Sequence, residues 1–196
     1  KKKQKIITFI GKLNSAKGYD LFGQAVCKIL DKYKNWQSIV IGDEPREKIF
    51  FKHSRIKIMG FQKHPKVLNI LKKTSIAVAC SRWNEPFGRS SLEAASRGCA
   101  VIISNKGGLP ETITDGITLK NLSVKDIYKN IEKLILNKKY RIQLQKNSLK
   151  NFFLTNKFIA GKIDNYRNII FKNNQINKNK YLKILHITNL NERHNG

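Results

Sequence analysis

Short apolar runs rich in β-branched residues alternate along the chain with longer segments whose apolar residues recur at helical spacing. Runs such as IITFI and SIVIG are typical of buried strands, and YDLFGQAVCKILDKY is typical of an amphipathic helix. The predicted strands are 6–10, 38–42, 56–61, 75–80 and 99–104. The predicted helices are 19–33, 64–74, 89–98, 123–137, 139–152 and 156–172. This alternation predicts an α/β fold, a Rossmann-like parallel sheet with helices on both faces.

Polar, Gly-containing loops follow four of the predicted strands. They cover residues 11–18, 42–46, 81–89 and 104–111. Because parallel sheets bind ligands outside the carboxyl ends of their strands, we expect these loops to converge on one crevice.

The carboxyl-terminal tail differs in composition from the rest of the chain. We predict one domain over residues 1–172, followed by a Lys- and Asn-rich linker at 173–180. The run LKILHI within 181–196 predicts a strand, which we interpret as the first strand of a second Rossmann-like domain. An extra strand on the first domain and a disordered tail are the alternatives. Since the chain begins with Lys, we interpret it as a fragment of a longer protein.

The formal net charge of +26 raises the question of a nucleic-acid partner. Of the 39 basic residues, 31 are Lys, and the chain also contains 26 Ile and 20 Asn, residues that share A/T-rich codons. The lysines are scattered over several predicted helices, whereas proteins that read bases rely on Arg. We therefore expect no specific nucleic-acid partner, and we expect peripheral contact with an anionic membrane surface instead.

Neither a membrane helix nor a secretory signal is visible in the sequence. No apolar run approaches the roughly 18–20 residues that a membrane helix needs, and no cleavage site follows the apolar run near the N-terminus. Cys27, Cys80 and Cys99 lie in apolar stretches without metal-ligand spacing, which favours buried, reduced thiols. These features predict a cytoplasmic protein.

Two lysines flank the loop that follows the first strand, in the segment GKLNSAKG. Backbone N–H groups at a helix start attract anions, and the ammonium groups of Lys12 and Lys17 add positive charges suited to a diphosphate. Two solvated lysines are the alternative explanation. The segment lacks the GK[ST] of a Walker loop, so a P-loop nucleotide hydrolase is excluded.

The stretch NEPFGRSSLE places Glu85 and Glu93 on either side of a Gly-containing turn. Glu93 fits a capping box with Ser90, in which its carboxylate would only satisfy the helix N-terminus. Glu85 lies at the carboxyl end of a strand, and ionised carboxylates accept hydrogen bonds from the paired hydroxyls of sugars and ribose. Gly88 lets backbone amides approach a ligand, and the helix beginning near Arg89 points its positive end at an anion. Together these residues favour a nucleotide sugar.

The stretch EPFGRSSLE is similar to the E-x7-E signature of retaining glycosyltransferases with the GT-B fold, specifically the family 4 type (glycosyl transferases group 1). FIGKLNSAKG, VIGDEP, IMGF and SNKGGLPETITDG resemble other loops of that family, in the family's order. The resemblance covers roughly residues 6–170. It implies the carboxyl-terminal, donor-binding half of a GT-B fold.

The resemblance implies a role for each matching position. Lys12 and Lys17 would contact the donor diphosphate, and with Glu85, which would hold the hydroxyls of the transferred sugar, they form the predicted catalytic set. Glu93 would bind the ribose hydroxyls, and the Gly-Phe pair of IMGF would contact the base. That pair is Gly60 and Phe61, and the remaining predicted donor-binding residues are Gly11, Phe87, Gly88 and Arg89. The chain departs from the family at Lys12, where Arg is frequent, and in TDGITLKNLS, which lacks a second Gly and an apolar pair.

The implied reaction is transfer of a sugar from a UDP-, GDP- or ADP-sugar with retention at the anomeric carbon. No metal or other cofactor is expected, because the lysines can replace a divalent ion. A glycan or lipid-linked acceptor would bind an amino-terminal domain outside this chain, so we expect donor binding but little or no transfer by the chain alone. Synthesis of cell-envelope polysaccharide or of a lipid-linked glycan at the cytoplasmic membrane face is the family's commonest assignment.

A non-catalytic nucleotide-sugar binding or regulatory module is the alternative function, since binding alone would require several of the same residues. Phosphorylase-like chemistry on the same architecture is not favoured, because no lysine lies in a cofactor-binding context.

Overall fold

The computed structural model of the chain describes residues 3–176. Within these residues, one sheet contains the strands β1 (Ile6–Ile10), β2 (Gln37–Ile41), β3 (Ile56–Ile58), β4 (Ile76–Ala79), β5 (Ala100–Ile103) and β6 (Gly116–Thr118). The helices are α1 (Tyr19–Lys32), α2 (His64–Lys73), α3 (Arg89–Ser96), α4 (Val124–Leu136), α5 (Lys138–Lys150) and α6 (Asn156–Ile176). A short 3-10 helix covers Leu109–Thr112.

The sheet is parallel throughout, in the order β3-β2-β1-β4-β5-β6. The chain moves outward from β1 to β3 on one side and then from β4 to β6 on the other, so the direction of winding reverses between β1 and β4. Ile7 pairs with Ile76 and Phe9 with Val78 across that boundary. Ligands of such sheets bind outside the carboxyl ends of the strands at this reversal.

Helices cover both faces of the sheet, because alternate strand residues point to opposite sides. On one side Ile7, Phe9 and Val40 pack in a core with residues of α1 and α4. On the other side Ala77 and Val101 pack with residues of α2 and α3. The predicted Rossmann-like α/β sheet with helices on both faces is therefore confirmed.

The predicted helices and strands are present, and the differences lie mainly at their ends. The strand predicted over 56–61 stops at Ile58, and Gly60 then turns the chain with a φ of 62°. β6 was not predicted, because Gly116–Thr118 has only three residues and its neighbours in the chain are partly polar, so no apolar run is visible. It pairs with β5 as an edge strand.

Two compact units divide the chain between Phe153 and Leu154. The first contains the sheet with α1 to α5, and α6 belongs to the second. α6 continues through residues 173–176, which we predicted as the start of a linker. The rest of that linker and the strand predicted within 181–196 lie outside the described residues. The predicted domain boundaries stay predictions.

Gly18 lets the loop after β1 lie directly against the end of β4. Its φ of 72° is in the left-handed region, and it is the residue that precedes α1. A Cβ added to Gly18 would lie 2.0 Å from the carbonyl oxygen of Cys80. The thiol of Cys80 in turn donates to the carbonyl oxygen of Gly18, with an Sγ···O distance of 3.3 Å. Glycine meets both the conformational and the steric requirement.

We expect Gly18→Ala to lower the free energy of unfolding by about 2–4 kcal/mol, because it combines backbone strain with a main-chain clash. Urea denaturation followed by circular dichroism measures this change. Gly161→Ala in α6 is the control, because its added Cβ has no atom within 4 Å, and it should change stability by no more than about 1 kcal/mol. An unchanged unfolding midpoint for Gly18→Ala would contradict the close approach of the two loops.

Candidate functional site

A cavity of about 650 Å³ opens at the carboxyl ends of β1 and β4, where the winding of the sheet reverses. The loops after β1, β3 and β4 and the first turn of α3 form most of its wall. The predicted site residues that line it are Gly11, Lys17, Phe61, Glu85, Phe87, Gly88, Arg89 and Glu93. Lys12 and Gly60 are described by the structure but do not line this cavity. The roles assigned to all these residues stay predictions.

Lys17 and Glu85 form an ion pair at the cavity wall. Lys17 Nζ lies 2.5 Å from Glu85 Oε1, and the two side chains are 29% and 13% exposed. Partial burial reduces screening by water, so this attraction is stronger than that of an exposed pair. The pair joins the loop after β1 to the loop after β4. Lys17 was predicted to bind the diphosphate and Glu85 the sugar, and in the structure the two side chains contact each other directly.

The loop after β5 fixes the main chain of Glu85 from another direction. Glu85 forms a parallel β-bridge with Gly107, and the N–H of Gly108 donates to the carbonyl oxygen of Glu85 at 2.7 Å. Leu109 from the same loop lines the cavity. The loops 11–18, 81–89 and 104–111 thus meet as expected.

The expectation that loop 42–46 lines the same crevice is wrong. None of its residues, all of which the structure describes, lines the cavity. It contacts the loop after β1 instead, where the side-chain amide of Asn14 donates to Glu44 Oε2 at 3.1 Å. It is therefore linked to the cavity through the loop after β1, whose residues Gly11 and Lys17 line it.

The N-terminal end of α3 faces the cavity without a capping side chain. Gly88 precedes the helix with a φ of 94°, and no side chain in the described residues caps this end. The hydroxyl of Ser91 instead donates to the carbonyl oxygen of Gly88 at 2.7 Å. The N–H groups of the first turn and the helix dipole therefore favour an anion at this end of the cavity.

The capping-box explanation of Glu93 is wrong, because Ser90 lies inside α3 and not at its N-cap. Glu93 Oε1 lies 3.1 Å from Nε2 of His64 and 3.7 Å from a guanidinium nitrogen of Arg89. The Glu93 side chain is 17% exposed, whereas that of His64 is 55% exposed. The carboxylate of Glu93 is therefore held at the cavity wall by side chains.

Some residues of the cavity were not predicted, namely Gln62, His64 and Ser81. His64 is the first residue of α2 and directly follows the loop after β3. Its position just before Pro65 and after the end of a predicted strand could have indicated that His64 lies near the crevice. The sequence did not show that His64 would meet Glu93, because 29 residues separate them in the chain.

Cys80 lines the cavity as a neutral thiol. It is fully buried, and burial raises the pKa of its thiol to about 12. Because the thiolate is the nucleophilic form, Cys80 is a poor nucleophile at neutral pH. Cys99 is also free and buried, and Cys27 is free and half-buried.

A family model described as "Glycosyl transferases group 1" matches residues 1–151. The chain belongs to this family. The resemblance seen in its loops is thereby confirmed.

Curated relatives of this glycosyl transferases group 1 chain include an enzyme and a spore protein. The chain is 30% identical over 122 residues to the 2-deoxystreptamine N-acetyl-D-glucosaminyltransferase of Niallia circulans, with 59% of this chain and 31% of that protein covered. It is 27% identical over 126 residues to spore coat protein SA of Bacillus subtilis, with 58% and 33% covered. The chain spans about a third of the length of these relatives.

Solved structures share the fold of this group 1 chain. The C-terminal domain of the group 1 family protein LpcC from Francisella tularensis matches with a TM-score of 0.67 and 28% identity, covering 76% of this chain and 84% of that one. HepE of Anabaena, solved with UDP-glucose, matches with a TM-score of 0.66 and 17% identity, covering 76% and 44%. The predicted fold, that of the carboxyl-terminal half of a GT-B glycosyltransferase, is confirmed.

No cluster of three or more His, Cys, Asp or Glu side chains that could hold a metal ion is present in the part of the chain that the structure describes. Metal-independent chemistry stays a prediction.

We expect the thiol of Cys80 to resist alkylation in the folded protein. With a pKa raised to about 12, the thiolate fraction at pH 8 is about 10⁻⁴, and the atom is also shielded from reagents. Iodoacetamide labelling at pH 8 followed by mass spectrometry of peptides measures this. Urea-unfolded protein should label at all three cysteines within the same time. Rapid labelling of Cys80 in the folded chain would contradict its burial.

Proposed function

We propose that this chain is the donor-binding half of a retaining glycosyltransferase and that its cavity holds a nucleoside diphosphate sugar. The observation that carries the proposal is the grouping of Lys17, Glu85 and Glu93 at one cavity, together with the uncapped start of α3. This arrangement offers positive charge for a diphosphate and carboxylates for hydroxyl groups. Membership of the glycosyl transferases group 1 family supports it.

In this proposal the nucleoside lies toward α2 and the loop after β3. Glu93 accepts hydrogen bonds from the ribose hydroxyls, and the ribose replaces His64 as its partner. Phe61 is 75% exposed at the cavity wall and provides an aromatic surface for the base. Aromatic rings favour stacking with any base, so the ring alone leaves UDP, GDP and ADP open.

The diphosphate lies between Lys17 and the N-terminal end of α3. When the bond between the anomeric carbon and the phosphate oxygen breaks, negative charge develops on the leaving nucleoside diphosphate. The Lys17 ammonium and the amides near Gly88 stabilise that charge, which lowers the barrier. Lys12 does not line the cavity, so its contact with the diphosphate requires the loop or its long side chain to move.

Glu85 positions the sugar in this proposal. Its carboxylate accepts hydrogen bonds from sugar hydroxyls and holds the anomeric carbon in place for the acceptor, a proximity effect that needs no covalent bond to the enzyme. The new glycosidic bond forms on the same face of the sugar, so the configuration is retained.

The acceptor is a glycan or a lipid-linked molecule bound by an amino-terminal domain of the longer protein, and this chain alone transfers little or no sugar. The length of the curated relatives supports this part of the proposal. In the described residues, no helix has the length and apolar character needed to cross a bilayer. The net charge of +26 supports peripheral contact with an anionic membrane at its cytoplasmic face.

Isothermal titration of the 196-residue chain with UDP, GDP and ADP tests donor binding. We expect one nucleotide to bind, and we expect Lys17→Ala and Glu93→Gln each to weaken binding about tenfold to hundredfold, the range for losing a hydrogen bond to a charged group. Lys32→Ala is the matched control, because it removes an ion pair with Glu132 that does not line the cavity. Absence of binding by all three nucleotides to the folded chain would contradict the proposal.

Glu85→Ala should separate sugar binding from nucleotide binding. We expect it to remove most of the affinity difference between a nucleoside diphosphate sugar and the corresponding nucleoside diphosphate, because in the proposed complex the sugar is the part of the donor that this carboxylate contacts. Titrations with UDP-glucose, UDP-N-acetylglucosamine and GDP-mannose, each beside its parent nucleotide, measure that difference. Glu111→Ala changes an exposed carboxylate outside the cavity wall and should have no effect. Equal losses for sugar and nucleotide would contradict this role.

A further inference from the structure

We propose that Arg82 is a positioning residue that holds the loop carrying Lys17 against the loop carrying Glu85. Together with Asp20 it forms what we call the loop clamp, the set of contacts from Arg82 to Ser15, Ala16 and Asp20. This inference rests on the proposed function, because the site that it positions is the proposed diphosphate site.

The side chain of Arg82 contacts both the loop after β1 and the first turn of α1. Its guanidinium donates two parallel hydrogen bonds to the carboxylate of Asp20, at 2.6 Å and 2.7 Å. It also donates to the carbonyl oxygen of Ser15. A planar guanidinium matches a carboxylate in this two-bonded arrangement, which fixes orientation as well as distance.

The main chain around Arg82 adds to the same contact. The N–H groups of Arg82 and Trp83 both donate to the carbonyl oxygen of Ala16, at 2.8 Å and 3.1 Å. The hydroxyl of Ser81 lies 3.1 Å from that oxygen. The residues immediately before Lys17 are thereby fixed by the residues that lead to Glu85.

Asp20 anchors the clamp to the body of the fold. It lies in the first turn of α1, where the helix dipole favours a negative charge. The hydrogen bonds from Arg82 lower the pKa of its carboxyl group, so Asp20 stays ionised at neutral pH. The clamp therefore remains a pair of full charges under ordinary conditions.

Neither Arg82 nor Asp20 lines the cavity. An effect of either residue on a ligand must therefore pass through the loops that they connect. Lys17 has a long, flexible side chain, so the position of its backbone decides where its ammonium can reach. Small displacements of a positioning group can cost about 100-fold in rate, and this is the physical reason for a clamp beside a charged site.

A double-mutant cycle tests whether Arg82 acts through Lys17. The probe is whichever of UDP, GDP and ADP binds the unaltered 196-residue chain. We expect Arg82→Ala and Asp20→Asn each to weaken binding about fivefold. In a Lys17→Ala background we expect Arg82→Ala to change binding by less than about twofold, since coupled residues are not additive. Losses that multiply independently would overturn the proposal.

Hydrogen–deuterium exchange tests the clamp without any ligand. The N–H of Lys17 donates to Asn14 Oδ1 at 3.0 Å, and the N–H of Gly18 donates to the carbonyl oxygen of Ser15 at 2.9 Å. We expect Arg82→Ala to speed exchange of these amides about tenfold, while those of β5 keep their rate, which shows local opening rather than global unfolding. Lys32→Ala, at the other end of α1, should change neither.

The two experiments fail in different ways. If no nucleotide binds but exchange in the loop increases, the proposed function is wrong and the clamp stands. If a nucleotide binds and exchange in the loop is unchanged in Arg82→Ala, the clamp is wrong and the donor site stands. If Arg82→Ala fails to fold, Arg82→Lys replaces it in both experiments. It keeps the charge but loses the two-bonded geometry, so it should show a smaller loss of the same kind.

Discussion

The contact between the loop after β1 and the end of β4 is the constraint on which the rest of the site depends. Gly18 has no side chain, which allows its backbone to lie against the carbonyl group of Cys80. The carbonyl oxygen of Ala16 then accepts hydrogen bonds from the main chain at Arg82 and Trp83. These loops follow the two strands where the winding of the sheet reverses. Contacts of the main chain therefore set how closely the walls of the cavity approach each other at this point.

The electrostatics of the site contrast with those of the chain as a whole. The chain carries 39 basic and 13 acidic residues, yet two of its carboxylates lie at one cavity. Each has a nitrogen-bearing partner, Lys17 beside Glu85 and His64 beside Glu93. Carboxylates that lose water on partial burial need such partners. In the proposed complex, phosphate groups of the ligand replace Glu85 as the partner of Lys17, and hydroxyl groups replace His64 as the partner of Glu93. Each charged side chain thus keeps a partner when the ligand binds.

The sequence predicts the sheet and its helices well, because buried parallel strands are continuous apolar runs and helices have a regular apolar spacing. β6 was missed because a three-residue edge strand depends on pairing with β5, and no local pattern shows it. Glu85 and Glu93 could be proposed from their motif, but their partners could not. Lys17 meets Glu85 across 68 residues and His64 meets Glu93 across 29. Such pairs follow from topology and side-chain direction, which a single sequence does not contain.

The Lys17–Glu85 pair limits which substitutions the chain can accept during evolution. Substitution of Lys17 alone leaves the carboxylate of Glu85, only 13% exposed, without its counter-charge. Substitution of Glu85 alone leaves the Lys17 ammonium without its carboxylate at a cavity that the positive end of α3 also lines. Each residue therefore constrains the other through cost to the folded protein, apart from any ligand. Divergent descendants of this chain should keep both residues or exchange both together, and single changes at either position should be short-lived.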